Sequence, residues 1–402
     1  MRIVRKILII ISKTVACIIA LAILAGAITS FSPVYRFSQP APFSGKDIYN
    51  PYDGLDSTDC WKRANFHTHT KVEGIRNECD FWPEEVHASL AKLGYDIVTF
   101  SNHNELTEYP SGSAIQVNAY EHGYNLFKYH KLVFGCDDVK HFDHLLPFFA
   151  SQKQFQINML NEDAQIVQIN HPLRTICLTD SQLEKLSGYK LIELDSGRST
   201  ENRYWDAALS AGHYSFGVAN DDLHFPDRSS RIGVRCNYLC CKTDSWEDVK
   251  NCLLKGNFYS MRVPDYGNGN WEVKYERNLN IPSITEIGLK DSTIYMSLSD
   301  RADSIKVIGQ GHTTLLKSCN TESMEYVMKA DDPYARVTAY FPDGEVLYTN
   351  PFARYDSSQR NSPFDDTLPQ TDILLTILFN LAVLLVCLAD ITAIYYILKS
   401  KK

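Results

Sequence analysis

Residues 83–104 read PEEVHASLAKLGYDIVTFSNHN, a stretch that joins a helix to a strand and the strand to a histidine. Its proline and two acidic residues are typical of the first turn of a helix, which we expect to run to Lys92 and to stop at Gly94. The apolar run over 95–100 predicts a buried strand. His103 follows directly after this strand, at the kind of position that carries chemistry in α/β barrels.

The same order of an apolar run and a ligand-type side chain recurs along the chain. The further runs are 166–169 before His171 and 214–219 before Asp222, with a weaker one, 61–66, before His67 and His69. Polar residues at successive strand ends converge when strands and helices alternate into a barrel. We therefore expect these scattered residues to form one metal cluster on an α/β barrel or a related parallel sheet.

Length and composition narrow the class of protein. The 402 residues are enough for two or three domains, and 44% apolar with 22% charged residues is typical of a globular chain. The net charge is −8, from 40 basic and 48 acidic residues. The chain therefore lacks the excess of basic residues that is typical of nucleic-acid-binding proteins, and we do not expect nucleic acid as a partner.

Both ends of the chain predict membrane helices, over 7–31 and 373–398. Each apolar run is long enough to cross a hydrocarbon core of about 30 Å. Basic residues flank the outer end of both runs, so both termini should be cytoplasmic and the segment between them extracytoplasmic. A cleaved signal peptide is the alternative for the first run, and the second would still anchor the protein in the bilayer.

Two different sequence patterns divide the segment between the two predicted membrane helices. Strand-like and helix-like segments alternate up to about residue 230, and short alternating strands with turn signals follow, which predicts a small β-sandwich. The expected bounds are a tether over 32–59, a metal-binding barrel over 60–230, barrel closure and sandwich over 231–355, and a linker over 356–372.

The candidate ligands have the chemistry that a divalent cation requires. His67 and His69 are two residues apart at a strand end, so both rings face the same side. Asp222 and His224 repeat this spacing, and Glu121 has two oxygens that suit a bridge between two ions. Each motif alone is more typical of an exposed polar side chain or of ordinary packing. The order of all the motifs, each after a predicted strand, favours a metal site.

The cysteines leave two alternatives open. Cys236, Cys240 and Cys241 form a cluster that suits either a structural zinc or buried thiols with a local disulfide. The cluster lacks a second matching half in the sequence, which favours the latter.

On these motifs the chain resembles the PHP (polymerase and histidinol phosphatase) metallohydrolases, most closely the branch with carbaryl-hydrolase-like enzymes. The resemblance covers about residues 60–350. Its motifs are His67-Thr68-His69-Thr70, Asn102-His103-Asn104, Glu121 with His130, Asn170-His171-Pro172, Ile192-Glu193 and Asp221-Asp222-Leu223-His224. The implied fold is an α/β, distorted (β/α)7 barrel with a C-terminal β-sandwich, here with one transmembrane helix at each end.

The resemblance implies two or three divalent ions, of zinc, manganese or iron. The implied ligand sets are His67, His69, Glu121 and Asp222 for the first ion, Glu121, His130 and His171 for the second, and His103 and His224 for the third. The family usually has a further His or Asp soon after the opening pair, and Glu73 is the nearest candidate here. Asn102 stands where the family usually has an aspartate, and its amide oxygen would accept a hydrogen bond from the far ring nitrogen of a ligand histidine.

The implied reaction is metal-dependent hydrolysis of a small phosphorylated or ester substrate, most simply a phosphoester. Glu121 and Asp222 would act in catalysis by holding the ions, and Arg174 would grip a substrate anion, unless it forms only a surface salt bridge. Glu193 would brace a ligand or belong to the barrel rim.

Several alternatives stay open at this point. They are ester or carbamate cleavage in the same fold, an amidohydrolase-type barrel, and a non-catalytic metal-bound module of the cell envelope. Turnover of a substrate panel by metal-loaded protein discriminates the enzymes from the binding module. The sequence leaves the oligomeric state open.

Overall fold

A computed structural model describes residues 2–55, 61–74, 77–196, 203–365 and 367–399. Its helices are α1 (Arg2–Ile28), α2 (Pro83–Ala91), α3 (Ala150–Asn161), α4 (Asp180–Leu183), α5 (Arg203–Ser210), α6 (Trp246–Lys255), α7 (Trp271–Asn278) and α8 (Ile373–Lys399). Its strands are β1 (Tyr35–Arg36), β2 (Asp47–Tyr49), β3 (Trp61–Asn65), β4 (Ile97–Val98), β5 (Ala119–His122), β6 (Lys131–Phe134), β7 (Ile166–Ile169), β8 (Leu191–Ser196), β9 (Phe216–Asn220), β10 (Arg235–Cys240), β11 (Phe258–Arg262), β12 (Ile284–Lys290), β13 (Thr293–Gly309), β14 (Thr313–Val327), β15 (Tyr334–Tyr340), β16 (Val346–Thr349), β17 (Phe352–Tyr355) and β18 (Gln370–Thr371).

Helix α2 and strand β4 form where the sequence predicts a helix followed by a strand. The Glu85 carboxylate accepts a hydrogen bond from the Trp82 backbone N–H at 2.8 Å, which fixes the first turn of α2. Gly94 has a φ of +79°. Helices commonly end at a residue in this left-handed conformation, which glycine adopts without steric strain because it has no Cβ atom. Strand β4 is shorter than predicted and pairs in parallel with β3.

The first sheet has five strands in the order β5-β6-β7-β8-β9. Strands β7, β8 and β9 run in parallel, as expected, but β6 is antiparallel to both of its neighbours. The connection between β5 and β6 is residues 123–130, which is too short for the crossover that a parallel pair requires. The alternation of strand and helix is therefore broken at β6.

The second sheet has eleven strands, with the order β12-β13-β15-β16-β11-β10-β3-β4 along its main path. Strand β14 pairs with β13, and β17 joins β15 to β2. The strands that the sequence assigned to a separate sandwich therefore continue the sheet that contains β3 and β4. Two isolated parallel bridges, Thr68 to Leu223 and His103 to Glu121, link this sheet to the five-stranded one.

The described strands thus form two large bridged sheets and a two-stranded sheet of β1 and β18, in a mixed α/β fold. Residues 32–59, predicted as a tether, carry β1 and β2, and the side chains of Phe43 and Tyr52 are buried. Cys240 is disulfide-bonded, whereas Cys236 and Cys241 are free and buried. The cluster therefore holds two buried thiols rather than a zinc site or a disulfide of its own, and Cys240 is bonded to a cysteine outside it.

The two apolar helices at the ends of the chain are long and apolar enough to cross a membrane. They pack against each other and are joined where they meet the rest of the protein, because β1 pairs with β18. The Asn380 side-chain oxygen accepts from the Ser32 backbone N–H at 3.1 Å, and the Arg36 guanidinium lies 2.8 Å from the Asp372 carboxylate. The helices therefore enter the rest of the protein side by side.

Candidate metal centre

The backbone brings the two His and Asp motifs together directly. After β3 and β9, the His69 N–H donates to the Leu223 carbonyl at 2.9 Å, and the Leu223 N–H donates to the His67 carbonyl at 3.2 Å. This short parallel pairing places the side chains of residues 67 and 69 beside those of residues 222 and 224. The sequence separates these motifs by about 150 residues, and the strand order brings them together.

Glu121 at the end of β5 lies at the centre of the cluster, with its side chain 1% exposed. Each of its two oxygens faces several imidazole nitrogens. The distances to Oε2 are 3.1 Å from His67 Nε2, 3.3 Å from His69 Nε2 and 3.2 Å from His103 Nε2, and those to Oε1 are 3.2 Å from His130 Nδ1 and 3.3 Å from His171 Nε2. One carboxylate thus links five imidazoles from four places in the chain.

Asp222 adds a second carboxylate to the same cluster. Its Oδ1 lies 3.2 Å from His67 Nε2, 3.5 Å from His69 Nε2 and 3.2 Å from His224 Nε2. His67, His69, Glu121 and Asp222 offer four ligand atoms within 4.8 Å of one another. This group has the same members as the first implied ligand set.

The reversed direction of β6 explains how His130 reaches the cluster. His130 precedes β6, whereas the other ligands follow or end their strands. Lys131, the first residue of β6, pairs with His122 at the end of β5 and with Ile169 at the end of β7. The start of a reversed strand therefore lies at the same edge as the ends of its neighbours.

The other two groups of potential ligands differ in membership from the implied sets. The structure groups His103 with Glu121 and His130, and His69 with Glu78 and His224. His171 lies 3.3 Å from Glu121 Oε1 and so remains beside the second group. His103 is therefore shared between the second group and Glu78, at 3.4 Å from the latter.

Glu78 takes the position for which the sequence suggested Glu73. The Glu78 Oε2 lies 3.4 Å from His103 Nε2 and 3.6 Å from His224 Nδ1, and Glu73 is exposed. No strand pattern precedes Glu78 in the sequence, so Glu78 could not be selected in advance. Asn102 also differs from expectation, because it binds the Thr70 backbone N–H at 2.8 Å and so braces the loop that carries His69.

Glu193 and Asn170 hold the ligands in place. Glu193 accepts from His67 Nδ1 at 3.1 Å, which turns the other ring nitrogen toward the cluster, and from the His171 backbone N–H at 2.8 Å. The Asn170 amide donates to Glu121 Oε1 at 2.9 Å. A histidine that binds a metal through one ring nitrogen typically donates a hydrogen bond from the other to a carboxylate in this way.

Burial and charge set the protonation of the cluster. Burial lowers the pKa of His67, but the carboxylates of Glu121 and Asp222 outweigh it and raise that pKa well above its ordinary value. Burial raises the pKa values of Glu121 and Asp222, yet the imidazoles hold both well below their usual range. Burial lowers the pKa of His103 to about 3. The carboxylates are therefore charged, as metal binding requires.

The donor set fits a divalent metal. The buried Nε2 atoms of His67 and His69 have no hydrogen-bond partner, which is costly unless a ligand satisfies them. Imidazole nitrogens and carboxylate oxygens suit zinc, manganese or iron. Ligands at roughly 2.1 Å from one ion lie about 3.0 to 3.4 Å from one another, close to the separations within this cluster.

Two ligand positions have unusual backbone conformations. His171 has a φ of +26° and Asp222 a φ of +50°. Residues other than glycine and asparagine rarely adopt such angles, and they cluster at functional sites where the surrounding structure fixes them. Both angles occur directly after buried strands, at the point where the chain must turn to present the side chain.

A cavity of about 470 Å³ opens beside the cluster. It is lined by Lys128, Arg174, Ile176, Asp222, His224, Phe225 and Arg231. The Arg174 guanidinium is paired with the Asp222 carboxylate, and Asp222 and His224 form the wall shared with the cluster. Lys128 and Arg231 were not selected from the sequence, because lone basic residues in loops have no distinctive pattern.

Comparisons with known proteins add little to this geometry. No family model matches the chain, and no curated protein matches it. Among solved structures, it is similar to a two-domain protein from Bacteroides vulgatus ATCC 8482 that contains a predicted PHP-like metal-dependent phosphoesterase. The alignment covers 78% of this chain and 99% of that chain, at 13% identity and a TM-score of 0.34. So low a TM-score supports no conclusion about this chain, and any functional conclusion depends on its own site.

Proposed function

We propose that this protein is a membrane-anchored, metal-dependent phosphoesterase of the PHP type, related to the carbaryl-hydrolase-like branch. The observation that carries this proposal is the convergence of five imidazoles on the two oxygens of the buried Glu121. In this reading the strands β3 to β9, linked by the two isolated bridges, constitute the distorted barrel. The cluster would hold two or three divalent ions.

Each ion would be held by its own group of ligands, and Glu121 would be shared between the first two groups. His67, His69, Glu121 and Asp222 would hold one ion, His103 and His130 with Glu121 a second, and Glu78 with His224 a third. Ions in such a site polarise a phosphoryl oxygen and lower the pKa of a coordinated water to about 7. Glu193 keeps the His67 ring in the productive orientation.

The cavity favours an anionic substrate over a neutral ester or carbamate. Three cationic side chains line it, from Lys128, Arg174 and Arg231. Within the described part of the chain, neither Lys128 nor Arg231 forms a salt bridge, so their charge is available to a ligand. Guanidinium groups bind phosphate oxygens with two parallel hydrogen bonds. Arg174 would exchange its contact with Asp222 for the substrate.

The proposed location follows from the ends of the chain. Both termini would be cytoplasmic, since basic residues flank the outer ends of both apolar helices. The catalytic part would then be extracytoplasmic. The disulfide at Cys240 supports this location, because such bonds persist in oxidising compartments.

The test removes two ligands and measures metal and turnover together. We expect the double variant His67→Ala/His69→Ala to lose bound metal by elemental analysis and to lose hydrolysis of p-nitrophenyl phosphate. The matched control is His87→Ala/His141→Ala, which removes two imidazoles outside the cluster and should retain both properties. Unchanged metal stoichiometry in the first variant would refute the proposal.

A further inference from the structure

The cavity beside the metal centre has an apolar side as well as a cationic one. Ile176 and Phe225 line it and are 52% and 41% exposed. A soluble phosphate metabolite requires the cations but gives no reason for large apolar side chains at the mouth. A ligand with a charged head and an apolar tail matches both sides.

The apolar side of the cavity continues into an apolar patch, which consists of Leu126, Phe148, Phe149 and Ile176. Phe149 is 56% and Leu126 62% exposed. The Ile176 N–H donates to the Phe127 carbonyl at 2.7 Å, and the Phe127 ring packs edge-on against Phe148 at 4.7 Å. Exposed apolar patches of this kind are typical of surfaces that contact a membrane or another protein.

The patch lies where the two apolar helices meet the rest of the protein. The Phe149 ring packs edge-on against Phe379 of α8 at 5.8 Å between centroids. On the other side, the Leu145 N–H donates to the Thr29 hydroxyl at 3.1 Å, directly after α1. If α1 and α8 span a bilayer, the patch lies at its surface and the cavity opens beside it.

We propose that the substrate of the metal centre is a membrane lipid with a phosphomonoester head group, taken from the bilayer that holds α1 and α8. This inference rests on the proposed phosphoesterase function. The cationic side of the cavity would bind the phosphate, and the patch would lie against the acyl chains. In the reaction, water forms a new bond to phosphorus, the bond to the lipid oxygen breaks, and that oxygen takes a proton to leave as the lipid alcohol.

The test compares one head group with and without its lipid tail. Full-length protein, loaded with manganese, is reconstituted in phosphatidylcholine vesicles that contain phosphatidic acid, and release of inorganic phosphate is compared with that from glycerol 3-phosphate. We expect kcat/KM to be at least about tenfold higher for the vesicle substrate, since burial of a few methylene groups suffices for this difference.

The variant Leu126→Ser/Phe148→Ser should reduce the ratio of the two rates about tenfold. The control Val327→Ser, which changes a side chain 62% exposed on β14, should leave the ratio unchanged. Ile176→Ser tests the same surface if the double variant does not fold, as judged by its metal content.

The outcomes separate this inference from the proposed function. Turnover of glycerol 3-phosphate or p-nitrophenyl phosphate with no preference for the lipid overturns the inference and leaves the phosphoesterase intact. A preference that the patch variant does not reduce also overturns it. If the metal-loaded protein hydrolyses none of the three substrates, the proposed function fails and the inference with it.

Discussion

At the scale of single residues, the position of Glu121 explains why so many imidazoles tolerate burial together. The imidazoles around it hold the pKa of its carboxylate well below the usual range, and the carboxylate in turn raises the pKa of His67. Burying one such charge without partners costs several kcal/mol. The cluster is therefore interdependent, and a change to one ligand should alter the affinity of its neighbours for metal.

Glu78 provides a sharp test at this scale. Because Glu78 lies within 3.6 Å of both His103 and His224, we expect Glu78→Gln to weaken the most weakly held ion at least about tenfold. Metal titration followed by calorimetry measures this change. Glu73→Gln is the matched control and should leave the titration unaltered, because among the described residues Glu73 belongs to none of the groups of potential metal ligands. Equal effects from the two substitutions would contradict the placement of Glu78.

The ligands that follow a strand could be selected from the sequence, because an apolar run signals where the chain reaches the edge of a sheet. Glu78 could not be, because it lies in a loop and reaches the site only through the path of that loop. Asn102 shows a related limit. Because Asn102 adjoins His103, we expect its amide to contact an imidazole. In the structure the Asn102 amide instead donates a hydrogen bond to the Thr70 hydroxyl.

At the scale of elements, helix α5 is tied to the second sheet by one buried carboxylate. Asp206 accepts from Arg336 Nε at 2.9 Å and from the Tyr334 hydroxyl at 3.0 Å, and it also pairs with His312. We expect Asp206→Ala to lower the free energy of unfolding by about 3 to 5 kcal/mol, because it removes the carboxylate that balances the charge of the buried Arg336. Denaturant unfolding of the full chain in detergent measures the loss.

The control for this change lies in the neighbouring helix α4. Asp180, its first residue, is 3.7 Å from Arg203 of α5, and both side chains are about half exposed, so Asp180→Ala should change stability by less than about 0.5 kcal/mol. A similar loss in both variants would contradict the assignment of this stability to the buried pair.

The same pair predicts a pH dependence of stability. Burial raises the pKa of Asp206, but Arg336 outweighs it and holds the pKa below its ordinary value. The contribution of the pair is therefore complete above the unfolded pKa of about 4 and is lost as the pH falls through the lower folded value. The stability difference between the native chain and Asp206→Ala should narrow below pH 4, and a difference that widens there would contradict this assignment.

The elements that the sequence predicted well are those with a strong local signal, such as α2 with its proline, acids and stop glycine. The reversal of β6 had no such signal, since an apolar run has no direction. The continuation of one sheet from β4 through β10 to β12 depends on pairings between residues far apart in the chain, which short-range patterns do not contain.

At the scale of the whole molecule, the metal centre links the two sheets, so metal should stabilise the folded chain. A ligand present at 100 times its dissociation constant adds about 2.7 kcal/mol. We expect a chelator to lower the melting temperature of the full chain and added manganese to restore it. The His67→Ala/His69→Ala variant should melt at a temperature that the chelator does not change, whereas a shift equal to that of the native chain would mean that the metal binds elsewhere.

If α1 and α8 span a bilayer, their orientation determines which face of it would supply a substrate, and the native cysteines allow that orientation to be measured. Cys177 and Cys319 are exposed and free, and both lie between the two apolar helices. If both termini are cytoplasmic, a membrane-impermeant maleimide should label these two thiols in intact cells, and Cys177→Ser/Cys319→Ser should abolish the labelling. In that variant, a cysteine introduced by Ser400→Cys, after α8, should react only once the membrane is permeabilised. Labelling at position 400 in intact cells would reverse the orientation and place the metal centre in the cytoplasm, where the disulfide at Cys240 would be out of place.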